Sequence, residues 1–435
     1  MASAYLSKTF AQAGNRRTFT ISYWIKMNGS TSSNPGILDA GADGSNSDDL
    51  YLHTGRLNFS GYYGSTQYQV RTNAKYVDTS GWYHHVIRFD TTQSTASDRL
   101  RLYVNGEVQT DLANNTYPSQ NFQTTYINTA RLHTIGSFAT GSLPNTPFDG
   151  QMAHFHFTDG YSYAASTFGE TDVTTGIWKP KTAPSVTYGT NGFFLKFDNS
   201  ANMGLDSSGQ GNNWTTNGTI IQNKDTPSNI FATLNPNARR ITTNNPTYSN
   251  TNSSLQGQTG NGQNNNAIAT LGDLAKGKYY FECKVGTVGD DFGVGICDDP
   301  INSNGSLEGN HEILYKNDGT KWNGSGYVSY GASYTTGDII GCAFDVTAGT
   351  ISFYKNGVSQ GTAATDLASS LVHGYTPGGY TNKGLMHFNF GNGYFGTTAV
   401  SSAQNPTDGV GIFEYTPPTN YRAVCTKSIN AQEYS

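Results

Sequence analysis

The stretch Leu100-Arg-Leu-Tyr-Val104, followed at once by Asn105-Gly106, decides the fold class. Apolar and polar residues alternate along it, the period of a β-strand with one face on a core. Asn-Gly then supplies the positive φ angles of a tight hairpin turn. The same grammar recurs along the chain. Phe19-Thr-Ile-Ser-Tyr-Trp-Ile25 alternates at its start, and Tyr279 to Val285 reads as a strand. Phe292-Gly-Val-Gly-Ile296 reads as a buried, close-packed strand, and Ile340, Cys342, Phe344 and Val346 form one apolar face. Gly349-Thr-Ile-Ser-Phe-Tyr-Lys-Asn-Gly357 ends on a second Asn-Gly turn, and Met386, Phe388 and Phe390 make a further alternating face. In Met152-Ala-His-Phe-His-Phe157, alternation puts Ala153, Phe155 and Phe157 on one face and Met152, His154 and His156 on the other. Helical patterns are short: Ala164 to Glu170, Thr365 to Leu371 and Thr397 to Gln404. The expectation is an all-β chain: two β-sandwich or jelly-roll domains in tandem with few short helices.

Composition agrees with short strands joined by tight turns. The 435 residues suffice for two or three domains, and they include 51 Gly, 28 Tyr and 22 Phe. Net charge is −5, with Lys and Arg scattered, so no basic footprint points to nucleic acid. No apolar run approaches the roughly 20 residues of a membrane span, so membrane insertion is not expected. Met1 to Phe10 lacks the apolar core of a secretory signal, giving an expectation of synthesis in a cytoplasm. Cys283, Cys297, Cys342 and Cys425 contain no Cys-x-x-Cys pair and read as buried thiols. The expected division is a first domain over 1–220, a connecting segment over 221–245 and a second domain over 246–435. The Asn/Gly/Ser-rich tract Thr242 to Asn266 would be a loop or irregular edge at the start of the second.

Specific motifs narrow the reading. Thr18-Phe-Thr-Ile-Ser-Tyr-Trp-Ile25, Gly81-Trp-Tyr-His-His-Val86, Leu102-Tyr-Val-Asn-Gly106, Ile135-Gly136 and Phe148-Asp-Gly-Gln-Met152 follow one another in order. As a set they resemble the laminin-G/concanavalin-A-like jelly-roll family. Phe168-Gly-Glu-Thr-Asp172, Gly176-Ile-Trp-Lys-Pro180, Tyr188-Gly-Thr-Asn-Gly-Phe193 and Asp206-Ser-Ser-Gly-Gln-Gly-Asn212 are similar to structural proteins of tailed phages, marine ones above all. The second half resembles a SPRY domain through Gly277-Lys-Tyr-Tyr-Phe-Glu282, Phe292 to Ile296, Gly337-Asp-Ile-Ile-Gly341, Phe344-Asp345, Gly349 to Tyr354 and Asn389-Phe-Gly391. Its ending, Phe413-Glu-Tyr-Thr-Pro-Pro418 with Tyr421 to Cys425, again resembles phage proteins. The SPRY resemblance implies a bent β-sandwich that binds protein partners through its loops, and so recognition rather than catalysis.

Candidate chemistry is sparse. Concanavalin-A-like glucanases carry alternating carboxylates on one strand, about 5 Å apart in retaining enzymes. The nearest match, Glu170-Thr-Asp172-Val-Thr-Thr175, lacks the last carboxylate and reads as a helix end and turn. The loop Asp43-Gly-Ser-Asn-Ser-Asp-Asp49 offers Asp43, Asp48 and Asp49 as oxygen ligands, so calcium is the one cofactor considered. Asp206 to Asn212 is also oxygen-rich and reads as an Asx-type turn. His154 and His156 could ligate a metal, but no third ligand is assignable, and a polar outer face explains them. Aromatics in Gly/Ser/Thr-rich segments are the best binding candidates: Tyr62, Tyr63, Tyr68, Tyr330 and Tyr334.

The expected function is therefore non-enzymatic. The chain reads as a phage virion structural protein, a fibre, spike or capsid or tail surface appendage acting in adhesion. Its expected partners are other virion proteins and host surface polysaccharide, with copies associating through domain faces because no coiled coil is present. The alternatives are a carbohydrate-active depolymerase with a glucanase-like first domain and a purely architectural virion component.

Overall fold

A computed structural model describes residues 4–28, 34–173, 175–236, 246–258, 265–298, 312–322, 326–367 and 374–433. The chain divides into two compact units, Met1–Gln222 and Asn223–Ser435. Both are β-sandwiches.

The first unit has an eight-stranded sheet. Its order is Leu112–Thr116, Thr66–Thr72, Arg56–Tyr63, Asn46–His53, Gly36–Asp43, Leu132–Ile135, Tyr5–Thr9 and Thr215–Asn217. A six-stranded sheet runs Phe193–Leu195, Gly150–Asp159, Thr18–Met27, Tyr83–Asp90, Leu100–Val104 and Glu107–Val108. Alternation on Thr18–Met27 sends Phe19, Ile21, Tyr23 and Ile25 into the core between the sheets, against Leu50, Leu52, Leu57 and Phe59 of the facing one. Phe19 stacks on Phe89 at 4.6 Å and on Phe157 at 5.6 Å. Emptying such a site costs about 3–5 kcal/mol. The Asn105-Gly106 turn has the expected positive φ angles, 48° and 90°.

The second unit repeats the plan. One sheet runs Thr247–Ser249, Ser254–Gln256, Leu385–Asn389, Lys278–Thr287, Ile339–Asp345, Thr350–Lys355 and Val358–Ala364, with Arg422–Ala423 parallel to Lys278–Thr287. The other runs Asn265–Ile268, Thr376–Asn382, Asp291–Cys297, Ile313–Lys316, Thr320–Trp322 and Tyr327–Ser329. Phe281, Cys283, Cys342, Phe344, Met386 and Phe388 meet Val294, Ile296 and Tyr315 across the core. All four cysteines are buried free thiols. Gly295 is required by packing, since a Cβ there would lie 1.9 Å from the Ile313 carbonyl oxygen.

Four expectations are corrected. A β-bulge lies between Ala153 and His156 where Gly150–Asp159 pairs with Thr18–Met27, and His154 takes φ 48°. The extra residue reverses the faces on either side of it, so Met152 packs on the core with Phe155 and Phe157, while Ala153 pairs with Trp24 away from it. Ala164 to Glu170 holds only the 3₁₀ turn Ala165–Thr167 before a strand, Gly169–Thr171, and Thr397 to Gln404 is not helical. Among the described residues the α-helices are Ala96–Arg99 and Thr426–Glu433. The connecting segment expected at 221–245 is not a spacer throughout, because Phe231, Ala232 and Leu234 are buried in clusters of the second unit. Residues 237–245, the 259–264 part of the Thr242 to Asn266 tract and the end of the Thr365 to Leu371 pattern lie outside the described residues.

Candidate binding surfaces

The acidic hairpin does not assemble a metal site. Asn46–His53 alternates, so Asp48 points inward with Leu50 and Leu52 while Asp49 points out. Asp48 is fully buried. Its Oδ1 accepts hydrogen bonds from the Tyr63 and Tyr68 hydroxyls, and its Oδ2 accepts the amide N–H of Tyr126 at 2.7 Å and Ile127 at 2.9 Å. Burial raises its pKa and these four donors pull it back. Oδ2 is spent on pinning the chain at 126–127 and Oδ1 on the two phenols. Asp43 sits exposed at the hairpin tip, where the Ser45 amide and the Asn46 side chain hold its carboxyl below the usual range. Asp49 faces Asp39 directly across the ladder. Burial, then a hydrogen bond and the charge of Asp49, push the Asp39 carboxyl well above its ordinary value, as in two carboxyls sharing a proton. Asp43, Asp48 and Asp49 thus point three ways, and among the described residues no group of three His, Cys, Asp or Glu could hold a metal.

The aromatic candidates separate in the same manner. Tyr68 is in the core and Tyr63 is partly buried, both engaged with Asp48. Tyr62 is 39% exposed. In the second unit Tyr334 is buried, its hydroxyl donating to the carbonyls of Tyr315 at 2.7 Å and Phe292 at 3.2 Å. Tyr330 is partly buried, and its hydroxyl donates to the Gly361 carbonyl at 2.5 Å. Tyr68 and Tyr334 are therefore corrected from surface candidates to core residues. Sequence composition cannot separate a loop tyrosine from one whose hydroxyl reaches a buried acceptor.

The outer face of the first unit's six-stranded sheet is closed by the chain itself. Ala165 and Phe168 pack on Val86 and Tyr103, with Tyr163, Trp178 and Val186 around them. Beneath this cap His84 is buried between Trp24, stacked at 4.6 Å, and Trp178. An indole N–H only donates, so the 3.0 Å bond from Trp178 Nε1 fixes His84 Nδ1 as an acceptor. The proton then sits on Nε2, which donates to Ser22 Oγ at 2.8 Å. That polarity is opposite to a nucleophile and its base. Burial also drives the His84 and His156 pKa values well below the ordinary range. His156 is taken up by the Tyr188 hydroxyl at 2.9 Å and stacks on Phe194 at 3.8 Å. Glu170 and Asp172, the glucanase-like carboxylates, flank Lys179 on the capping hairpin, whose ammonium lies 2.7 Å from Asp172. Asp206 is satisfied by its own loop and the neighbouring strand, accepting the amides of Ser208, Asn212 and Phe194.

The second unit carries an aromatic edge that the sequence reading missed. Trp322 and Tyr327 face each other across the last strand pair, rings 5.2 Å apart and edge to face. Lys316 Nζ lies 4.7 Å over the Tyr327 ring and 3.3 Å from Asp291 Oδ1. The Tyr327 and Tyr380 hydroxyls meet at 3.0 Å. Trp322 packs on Ile268, Leu314 and Tyr380 on the outer side of the sheet. Both rings are half-buried and held in place, the arrangement of an interface anchor with little conformational entropy left to lose. Their signal was present as two aromatics on either side of Asn323-Gly-Ser-Gly326, a stretch that reads only as a loop when the strands around it are not recognised.

Comparison with known proteins agrees with this architecture. Residues 2–165 match the concanavalin A-like lectin/glucanases superfamily, and residues 278–392 match the SPRY domain. Ran-binding protein 10 of Danio rerio is 38% identical over 123 residues, 27% of this chain and 20% of that protein. Ran-binding protein 9 of Homo sapiens is 38% identical over 123 residues, 27% of this chain and 16% of that protein. The chain thus spans about a fifth of the length of these curated relatives. Among solved structures, the SPRY domain of human HERC1 aligns with a TM-score of 0.30 and 20% identity, over 36% of this chain and 96% of that one. The SAP-like pentraxin of Limulus polyphemus aligns with a TM-score of 0.28 and 14% identity, over 38% of this chain and 72% of that one. The chain carries a concanavalin A-like β-sandwich followed by a SPRY β-sandwich.

Proposed function

We propose that this chain is a non-catalytic recognition protein displayed on the surface of a bacteriophage particle after synthesis in the host cytoplasm. The observation that carries the recognition reading is the Trp322–Tyr327 edge, two pre-positioned aromatic rings beside the Lys316–Asp291 ion pair. Such a surface suits a protein ligand with an apolar anchor and a polar rim. Relatives that match 123 residues of this chain are named for binding Ran, which favours a protein ligand. The first unit adds a second module for a surface glycan or a neighbouring virion protein, with Tyr62 exposed on it. The virion setting rests on the likeness of Phe168 to Asp172, Asp206 to Asn212 and Phe413 to Pro418 to tailed-phage structural proteins. Several copies on one particle would convert weak contacts into avidity.

The test is binding of the purified chain to intact cells and to purified surface polysaccharide of a candidate bacterial host, with and without calcium, while reducing sugar is assayed. Saturable binding without sugar release supports the reading. Sugar release overturns it in favour of a depolymerase, and absence of both points to a purely architectural component.

A further inference from the structure

Three adjacent strands of the first unit's eight-stranded sheet, Asn46–His53, Arg56–Tyr63 and Thr66–Thr72, send Leu50, Phe59 and Val70 into the core. Their alternate residues therefore share the outer face. The register sets Tyr51 beside Asn58 and Asn58 beside Arg71. Asp49 stands beside Ser60 and Ser60 beside Gln69, while His53 stands beside Arg56. The face is thus polar in every row.

Its centre is held in one arrangement by a buried amide. Asn58 is fully buried. Its Oδ1 accepts Arg71 Nε at 3.0 Å and Gln69 Nε2 at 3.1 Å, and its Nδ2 donates to Ser60 Oγ at 3.0 Å. One side chain so orients a guanidinium and a carboxamide, both half-buried above it. Phe138 borders the face, its ring 5.6 Å from that of Tyr51, and the next amide, Ala139, donates to Asp39.

The charges on this face are unequally paired. Asp49 lies beside Asp39 at one end. At the other end Arg56 donates through Nε to the Asn73 carbonyl at 3.1 Å and through Nη1 to the Thr54 hydroxyl at 3.4 Å. Among the described residues the arginines in ion pairs are Arg101 and Arg422, so Arg56 and Arg71 have no carboxylate partner. They are diagonal neighbours on adjacent strands, with Cβ atoms roughly 7–8 Å apart. Both act on His53: burial first, then the charges of Arg71 and Arg56, hold its imidazole below the ordinary value. His53 Nδ1 is itself buried without a hydrogen-bond partner.

We propose that this face binds an acidic oligosaccharide, with a sugar carboxylate on Arg56 and Arg71 and sugar hydroxyls on Gln69, Ser60 and Asp49. The inference rests on the glycan-binding reading of the first unit and gives that reading a site and a ligand class. A planar guanidinium matches a carboxylate through paired N–H bonds. Sugar hydroxyls donate and accept, as the carboxamide, hydroxyl and carboxylate of the next row require. A protein partner would need an apolar core to its interface, and here Tyr51 is half-covered by Phe138. Two guanidiniums do not make the basic stripe of a nucleic-acid site. Because Asn58 already fixes Arg71, binding loses little of that side chain's freedom.

The test is isothermal titration calorimetry of the full chain with short oligomers of galacturonate, mannuronate and sialate, each paired with its methyl ester. At least one acid should bind saturably, weaken as salt is added, and lose its binding on esterification. Arg71→Gln and Arg56→Gln should each weaken that binding about tenfold or more. Trp322→Ala, in the other unit, should leave it unchanged. If Arg71→Gln loses its near-UV circular dichroism, Arg56→Gln decides, because Arg56 has no part in the Asn58 network. No binding of any acid, equal binding of acid and ester, or equal binding by folded arginine variants overturns the proposal. Host-cell binding that survives in both arginine variants while no acid binds would sink this site and leave recognition standing. Acid binding by a chain that does not bind host cells would do the reverse.

Discussion

Replacing Asp48 by Asn separates a structural carboxylate from a calcium ligand. Four donors converge on its two oxygens: the Tyr63 and Tyr68 hydroxyls and the Tyr126 and Ile127 amides. Asn keeps one oxygen but turns an NH2 toward two of those donors. A buried donor left without its acceptor costs about 1–3 kcal/mol, and loss of the charge relieves part of the desolvation. The net expectation is a loss of about 3 kcal/mol in the first unit. For a unit of this size that corresponds to a fall of roughly 6–12 °C in its Tm. Differential scanning calorimetry of the full chain reads this, with the second unit's transition as internal reference. The wild-type transition should be unchanged by EDTA or added calcium, because both Asp48 oxygens are already engaged by protein donors. An Asp48→Asn transition at the wild-type temperature would refute the reasoning. So would EDTA lowering the wild-type transition by the same amount.

Two further substitutions probe the closed surfaces. Trp178→Phe keeps the ring over the sheet but leaves His84 Nδ1 without its donor, so urea unfolding should show a loss of about 1–2 kcal/mol in the first unit. Gly295→Ala sets a methyl 1.9 Å from the Ile313 carbonyl oxygen, where only backbone could yield. A cost of about 3 kcal/mol or more should appear as loss of the second unit's near-UV circular dichroism.

The fold was legible wherever a strand keeps strict alternation. Phe19 to Ile25, Tyr279 to Val285 and Ile340 to Val346 carry their core residues at period two, and both Asn-Gly turns formed. It became illegible where one residue breaks the period. The bulge at His154 moved Met152 to the core, and nothing in Met152 to Phe157 announces it. The site was less legible for a related reason. Asp48 and Asp49 are adjacent in sequence but lie on opposite faces of the sheet, so an acidic run on a strand is not a cluster in space. Asp39, the real neighbour of Asp49, comes from the preceding strand and emerges only with the register. Asn58 and Arg71 show no relation in sequence either, and it is the pairing of their strands that sets them side by side.

The measurement that bears most directly on recognition without chemistry is a paired titration. Labelled wild type and Trp322→Ala are bound to intact cells of the candidate host, with reducing sugar assayed in the same samples. Trp322 is a half-buried anchor on the last strand but one of its sheet, on the outer side of it, so its truncation should cost binding more than folding. An anchor worth about 2 kcal/mol predicts roughly 30-fold weaker binding by the variant at nearly unchanged Tm, with no sugar released by either protein. Equal binding by the two proteins, or any release of reducing sugar by wild type, would contradict the account.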